Sequence, residues 1–221
     1  MVFVRLKTYM SPSKQSRTPK EIKTTKAYYE KSAGNWTNTK TNSFHHEAEF
    51  TKFHELLLKG ASVIDIGCAW GIHVPLFLGI GRNLKYTGID IAKAFLKIAR
   101  RRYPQLNFLE GNIADSNTLP KKRFDGFLAV AVLMHLPRET WDRAFKNIES
   151  ILKSGAYGYI TLPVEHPSGD YAHADSRHFT IISETVQVAY MKNRGWKILK
   201  RTIKQGSQKK EIWRGYIVKL P

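Results

Sequence analysis

A glycine-containing turn is the first feature of this sequence that could do chemistry. Residues 63–71 read Val-Ile-Asp-Ile-Gly-Cys-Ala-Trp-Gly, and they join a short apolar run to a helix-like stretch. Glycines at positions 67 and 71 let backbone approach a ligand without a Cβ clash. Ligands of α/β proteins bind where such strands end. Because the spacing differs from Gly-x-Gly-x-x-Gly, the turn alone fits either a nucleotide-like ligand or a tight strand-to-helix connection.

A carboxylate strengthens the ligand interpretation. Asp90 stands 19 residues after Gly71, where a second apolar run ends. A carboxylate at this place can accept hydrogen bonds from both hydroxyls of a ribose. It can also accept N–H groups at the start of the helix that follows. The two roles are compatible, so the turn and Asp90 together predict a site for a nucleoside-containing ligand.

Histidines are the remaining candidates for acid–base or metal chemistry. His135 follows a fourth apolar run and could act as a general base, although shaping the local turn is the simpler interpretation. Residues 165–179 hold a further polar group, consisting of His166, His173, Asp175, Arg177 and His178. Their spacing matches no zinc pattern, so we predict solvated loop residues and no metal site.

The elements that would position these residues alternate along the chain. Predicted strands cover residues 62–66, 86–89, 107–110, 124–130, 156–162, 196–203 and 212–220. Predicted helices cover residues 24–32, 44–58, 73–78, 92–103, 140–152 and 183–193. This order predicts an α/β fold with a doubly wound, Rossmann-like, seven-stranded, mostly parallel sheet. The connection at 204–211 is too short for a helical crossover, so the last two strands should form an antiparallel hairpin.

Length and composition favour one domain. The 221 residues are 42% hydrophobic, which suffices for one sizeable core. We expect a flexible basic arm at 1–22 and a single domain at 23–221. The lone cysteine, Cys68, excludes an internal disulfide. The sequence has no apolar run long enough to span a bilayer and no signal peptide at its start, so we expect a cytoplasmic protein.

The formal charge is +18, with a pI near 10.0. A charge of this size could serve an anionic partner such as RNA. The basic residues are scattered, however, and no run carries interleaved aromatic residues. Lysine-rich solvated faces are therefore the simpler interpretation. No feature of the sequence indicates an oligomeric state.

Five segments, taken in order, resemble the motifs of the class I S-adenosylmethionine-dependent methyltransferases of the small, single-domain type. They are Val63–Gly71, Tyr86–Asp90, Leu109–Ile113, Phe124–Leu136 and Leu152–Gly155. The resemblance extends from about Tyr28 to Leu220. It implies methyl transfer from S-adenosylmethionine by in-line displacement, with S-adenosylhomocysteine as the product.

The resemblance also implies a set of cofactor-binding residues: Asp65, Gly67, Cys68, Ala69, Gly71, Asp90, Ile91, Asn112, Ile113 and Ala129. Asp65 and the Ala129 carbonyl would face the methionine amine, Asp90 the ribose, and Asn112 and Ile113 the adenine. Three positions depart from the family pattern. Trp70 is bulkier than the usual threonine or serine, and it could pack over the cofactor or only over the helix start. Ala69 stands where glycine is usual, and Asn112 stands where aspartate is usual, although asparagine keeps an acceptor oxygen.

The acceptor is less well defined by the sequence. By resemblance, an N-terminal helical lid at 23–59 would cover the cofactor with Tyr28, Tyr29 and Trp36. An acceptor-pocket loop at 163–182 would contribute His166, His173 and Arg177. The family's Asn-Pro-Pro-Tyr motif for amino groups of bases is missing, and Cys68 lies in the cofactor turn rather than at a nucleophile position. We therefore expect a small-molecule acceptor. A methyltransferase acting on RNA or protein and a non-catalytic binding module are the alternatives.

Overall fold

The computed structural model describes residues 19–38, 47–79, 81–165, 171–172, 175–205 and 212–221. Its helices are α1 Lys20–Asn38, α2 Glu47–Glu55, α3 Val74–Leu78, α4 Lys93–Arg102, α5 Trp141–Ser150 and α6 Glu184–Lys192. Its strands are β1 Ser62–Ile66, β2 Lys85–Asp90, β3 Asn107–Glu110, β4 Phe124–Val130, β5 Leu152–Glu165, β6 Tyr171–Ala172, β7 His178–Phe179, β8 Lys197–Gln205 and β9 Ile212–Lys219. None of the helices within these ranges is long and apolar enough to cross a membrane.

Seven strands form one sheet in the order β3-β2-β1-β4-β5-β9-β8. The first five strands are parallel, and β9 runs antiparallel to both β5 and β8. The predicted fold class and the C-terminal hairpin are thus confirmed. The chain builds outwards from β1 in one direction and from β4 in the other, so a crevice opens between the carboxyl ends of these two strands.

Alternating side chains of the strands supply two apolar layers. Ile64 and Ile66 of β1 pack with residues of α5 and α6 on one face of the sheet. Val63, which precedes them in β1, packs with residues of α2, α3 and α4 on the other face. Both faces are covered by helices, which explains why residues 126–130 of β4 are apolar and buried rather than alternating; Asp125, near the start of the strand, is the exception.

Most element ends differ from the sequence-based prediction by a few residues, and the largest differences are at α1 and β5. Helix α1 begins at Lys20 and continues through Gly34, whereas we expected a helix over 24–32 that ends at Gly34. The boundary at residue 22 therefore falls inside α1, and residues 1–18 lie outside the described part of the chain. Strand β5 begins at Leu152, so Gly155, expected to end the preceding helix, lies in the strand with a φ of +71°.

Candidate active site

The turn after β1 has a left-handed backbone at every second residue. The φ angles are +73° at Gly67, +47° at Ala69 and +79° at Gly71. The N–H groups of Gly67 and Cys68 donate to the carbonyl of Ile89 at 2.8 and 3.1 Å, which fixes the turn against the end of β2. The Cys68 side chain is fully buried, and burial raises the pKa of its thiol well above the usual value. Cys68 is therefore a structural thiol, and only backbone is left to face a ligand.

Asp90 joins this turn to the start of α4. Its carboxylate accepts the N–H of Ala69 at 2.9 Å and the N–H of Ala92 at 2.8 Å. Burial raises the pKa of Asp90 to about 6, against the opposing effect of these two N–H donors. The carboxylate thus orders both the turn and the start of α4, as predicted for the helix start, while the ribose contact stays a prediction.

Asp65 lies beneath the turn rather than in it. The carboxylate is fully buried, and its Oδ2 accepts the Tyr86 hydroxyl at 2.8 Å and His73 Nδ1 at 3.1 Å. Burial, and then the charge of Asp65, raise the pKa of Tyr86 well above its usual value, so Tyr86 keeps its proton and donates. Asp65 Oδ1 has no hydrogen-bond partner among the described residues.

The other predicted cofactor residues line the same edge of the sheet. Ile91 follows Asp90 and is half-buried, while Asn112 and Ile113 follow β3. The Asn112 side-chain oxygen accepts the N–H of Ala114 at 2.9 Å, which stabilises the local turn. Ala129 is fully buried, one residue before the end of β4. The structure thus brings together the ends of β1, β2, β3 and β4, as the motif order requires.

Helix α1 is tied to this edge by ion pairs and hydrogen bonds. Glu30 accepts the N–H of Lys93 at 2.8 Å and the N–H of Ala94 at 2.9 Å. The N-cap residue of α4 provides no side-chain hydrogen bond, so Glu30 caps that helix from another element. Lys26 adds an ion pair with Glu110 at the end of β3. The part of α1 that carries the predicted lid residues Tyr28 and Tyr29 is therefore held at this edge of the sheet.

Aromatic side chains fill the space between α1 and the sheet edge. Trp70 is buried and packs on Phe95 and Trp36, with ring centroids 5.4 and 6.4 Å apart. The ring of Tyr29 contacts those of Trp36 and Phe95, with centroid distances of 6.0 and 5.5 Å. The bulky Trp70, which the sequence placed in the glycine turn, thus anchors α1.

A hydrogen-bonded chain links α1 to the residues after β4. The Tyr29 hydroxyl lies 2.9 Å from His135 Nε2, and His135 Nδ1 lies 2.8 Å from the carbonyl of His178. A carbonyl only accepts, so Nδ1 carries the proton and Nε2 accepts from Tyr29. Burial lowers the pKa of His135 to about 4 and raises that of Tyr29. At neutral pH, both groups are therefore uncharged.

Arg177 completes this end of the site. Its Nε lies 3.0 Å from both carboxylate oxygens of Asp175, and its Nη1 lies 3.4 Å from the Tyr29 hydroxyl. The guanidinium carbon lies 4.9 to 5.8 Å from the centroids of four rings: Tyr28, Tyr29, Trp36 and Phe179. His166 and His173, also predicted here, lie outside the described residues. Within the described ranges, no cluster of His, Cys, Asp or Glu could hold a metal ion.

Sequence reasoning missed three of these residues. Glu30, His73 and Tyr86 act through partners that lie 8 to 64 positions away along the chain. Tyr86 opens the second motif, and its partner Asp65 stands in the neighbouring strand, so the parallel pairing of β1 with β2 was the available signal. Nothing local to Glu30 indicates that it caps α4; the missing side-chain cap at the start of that helix was the available signal.

Comparisons with known proteins agree with this geometry. Residues 63–155 match the model of a family described as a methyltransferase domain. A fatty-acid O-methyltransferase of Mycolicibacterium smegmatis is 28% identical over 106 residues, which cover 47% of this chain and 38% of that protein. A trans-aconitate 2-methyltransferase of Rhodopseudomonas palustris is 30% identical over 108 residues, which cover 48% and 41%. The chain thus spans about two fifths of the length of these relatives.

Solved structures share the fold over nearly the whole chain. A 1,6-didemethyltoxoflavin-N1-methyltransferase of Burkholderia thailandensis, solved with S-adenosylhomocysteine, has a TM-score of 0.74 at 15% identity and covers 93% of this chain and 92% of its own. Magnesium protoporphyrin IX methyltransferase of Synechocystis has a TM-score of 0.69 at 13% identity, and the match covers 92% of this chain and 99% of that protein's. The motif order, the sheet topology and these matches lead to one assignment. They support a class I S-adenosylmethionine-dependent methyltransferase, with the methyltransferase-domain model matching residues 63–155.

Proposed function

We propose that this protein transfers the methyl group of S-adenosylmethionine to a small-molecule acceptor. The observation that carries the proposal is the carboxylate of Asp90, buried at the end of β2 and hydrogen-bonded to the left-handed turn after β1. This pairing stands at the crevice where the strand order reverses, which is where α/β sheets bind nucleosides.

The residues present fit that cofactor. The raised pKa of Asp90 follows from burial that two N–H donors only partly offset. Two ribose hydroxyls would supply the missing donors. The backbone of Gly67 and Ala69 would face the methionine part, and Ile91 and Ile113 would pack on the adenine.

S-adenosylmethionine supplies a methyl group on a sulfonium, which is a good leaving group. The protein then has to align the acceptor and exclude water. Helix α1, held by Glu30 and by the Trp36–Trp70 contact, would close the site to solvent. His135 would hold Tyr29 in position, because its two ring nitrogens are engaged and its pKa is near 4. In this proposal, His135 orients the lid rather than acting as the base.

Two considerations support a small acceptor. Helix α1 crosses the acceptor end and contacts it through Tyr29 and through Thr25, whose hydroxyl accepts the N–H of His178 at 2.9 Å. A macromolecular acceptor would have to displace this helix. In addition, the two relatives described above are named for small organic acids, one for a fatty acid and the other for trans-aconitate.

A methyltransferase acting on RNA or protein is the second candidate. The charge of +18 favours it, as do three consecutive arginines, Arg100 to Arg102, exposed in the last turn of α4. Binding through such residues would weaken steeply with salt.

Transfer of labelled methyl groups distinguishes the two candidates. Purified protein and S-adenosylmethionine with a radiolabelled methyl would be incubated with a cell extract divided into an ultrafiltrate of small molecules and a macromolecular fraction. We expect label in the ultrafiltrate, with little change when salt is raised. Label confined to RNA or protein and lost at high salt would contradict the small-molecule proposal.

A further inference from the structure

We propose that the acceptor is an organic acid whose carboxylate binds Arg177 and is itself methylated, giving a methyl ester. The inference rests on the proposed function and specifies its substrate class. Arg177 is a permanently charged group next to Tyr29 and His135, the residues that link the lid to the end of β4.

The position of Arg177 supports this assignment. Asp90 and Asn112 mark the nucleoside end of the crevice, at β2 and β3. The turn after β1 leads from there towards β4. Residues beyond the end of β4 would therefore surround the transferable methyl group. His135 lies in a 3₁₀ turn directly after β4, and Arg177 contacts it through Tyr29.

The orientation of Arg177 is set by Asp175 and by aromatic rings. Asp175 binds the guanidinium through Nε and through Nη2, at 3.0 and 2.8 Å. The Nη1 atom points instead to the Tyr29 hydroxyl, at a long 3.4 Å. The guanidinium has five N–H donors, and a carboxylate can engage two of them at once. The Asp175 carboxylate thus fixes the plane of the group and leaves its Nη1 edge towards Tyr29 and His135.

The neighbouring groups favour an acceptor that arrives without a proton. Tyr29 already donates its hydroxyl proton to His135, and both groups are neutral at pH 7. A carboxylate needs no base: an oxygen lone pair attacks the methyl carbon while the carbon–sulfur bond breaks. The bonding electrons pass to sulfur, giving a methyl ester and a neutral thioether with no proton transfer. An ammonium acceptor would need a base to take its proton, and the acceptor nitrogen of His135 is already engaged by the Tyr29 hydroxyl.

The rings around Arg177 indicate the rest of the acceptor. Tyr28, Trp36 and Phe179 surround the charged group with apolar surface. Desolvation by these rings strengthens a guanidinium–carboxylate contact relative to water. An acid with an apolar body suits such surroundings better than a highly charged one.

Matched acid and amide pairs test the inference. Phenylacetate and phenylacetamide, and octanoate and octanamide, would be titrated by calorimetry into protein saturated with S-adenosylhomocysteine. We expect at least one acid to bind at least about tenfold more tightly than its amide, as a charge-assisted hydrogen-bond pair would give. With S-adenosylmethionine, that acid should yield an alkali-labile methyl ester, detected by mass spectrometry.

Two variants assign the preference to Arg177. In Arg177→Gln, we expect the acid-to-amide ratio to fall to near one in a protein that still binds S-adenosylhomocysteine. Arg101→Gln, at an exposed arginine of α4, should keep the wild-type ratio. If the glutamine variant fails to fold, Arg177→Lys decides, since lysine keeps the charge but loses the planar fork. A reduced ratio in the lysine variant supports the inference, and an unchanged ratio overturns it.

Equal binding of acids and amides by the wild-type protein would overturn the inference, as would methylation of phenethylamine in preference to phenylacetate. The cofactor titration separates the two proposals. If S-adenosylhomocysteine itself does not bind, the proposed function fails. If it binds and the acid preference is missing, only the substrate class is wrong.

Discussion

Replacing Asp90 with asparagine tests whether the charge of this carboxylate binds the cofactor. Burial raises the pKa of Asp90 from its ordinary value of 3.8 to about 6. Two ribose hydroxyls both donate, so they need the ionised carboxylate as acceptor. Protonation of Asp90 and cofactor binding should therefore compete, and the affinity should fall as the pH drops through 6.

The size of the effect follows from that pKa. Between pH 7 and pH 5, the ionised fraction of Asp90 falls from about nine tenths to about one tenth. Affinity for S-adenosylhomocysteine should fall about tenfold, or about 1.4 kcal/mol. The same proton acts with the opposite sign on folding. The folded pKa lies above the unfolded value, so the free energy of unfolding of the unliganded protein should rise by about 1.3 kcal/mol from this group as the pH falls from 7 to 5.

Calorimetric titration at pH 5, 6 and 7 measures the first effect, and urea unfolding measures the second. Asp90→Asn should bind more weakly at pH 7, with no slope between pH 5 and 7. His135, whose folded pKa lies near 4, should not interfere with the binding titration in this interval. In urea unfolding its contribution is the same in both proteins, so the difference between wild type and Asp90→Asn isolates the Asp90 effect. A flat wild-type profile, or an equal slope in the asparagine variant, would refute the assignment of Asp90 as the ribose acceptor.

Three further changes test other parts of the structure. In the folded protein His135 stays neutral down to about pH 4, whereas in the unfolded chain it titrates near 6.5, so it should remove about 3 kcal/mol of folding stability as the pH falls from 6.5 to 4. Urea unfolding of His135→Gln should show a smaller loss of stability over this interval. An equal loss would contradict the lowered pKa. Glu30→Gln should lower the folding stability by about 1 kcal/mol because it weakens the cap on α4. The control Glu139→Gln, at an exposed carboxylate, should have little effect. Equal melting temperatures of the two variants would argue against the cap. Ala69→Gly should stabilise the unliganded protein by up to about 1 kcal/mol, because the φ of +47° is unfavourable for alanine, and a lower melting temperature would show that the alanine methyl packs usefully.

The strands were the most predictable part of the fold. β1 and β4 have the bounds expected from their sequences, because buried parallel strands are short, largely apolar runs between turn residues. The edge strand β3 also has its expected bounds, although Phe108 is its only buried residue. The C-terminal hairpin followed from the length of one connection. Helix α1 was harder, since Gly34 and Asn35 normally favour an end. Packing of Ala33 and Trp36 against the Trp70 cluster explains why the helix continues.

The candidate site was predicted as positions rather than as contacts. Motif spacing indicated that Asp65 and Asp90 stand at the ends of adjacent strands, because strand order fixes that. It could not indicate that Tyr86 binds Asp65 or that Glu30 caps α4, since these contacts depend on how separate elements pack. The role of His135 was likewise open until the carbonyl of His178 defined its protonated nitrogen.

The central claim is that the crevice between β1 and β4 binds S-adenosylmethionine, and calorimetric titration with S-adenosylhomocysteine at pH 7 tests it most directly. The account predicts one site per chain, an increase in melting temperature on binding, and markedly weaker binding by Asp90→Ala. An absence of both heat and thermal shift in a folded wild-type protein would contradict it.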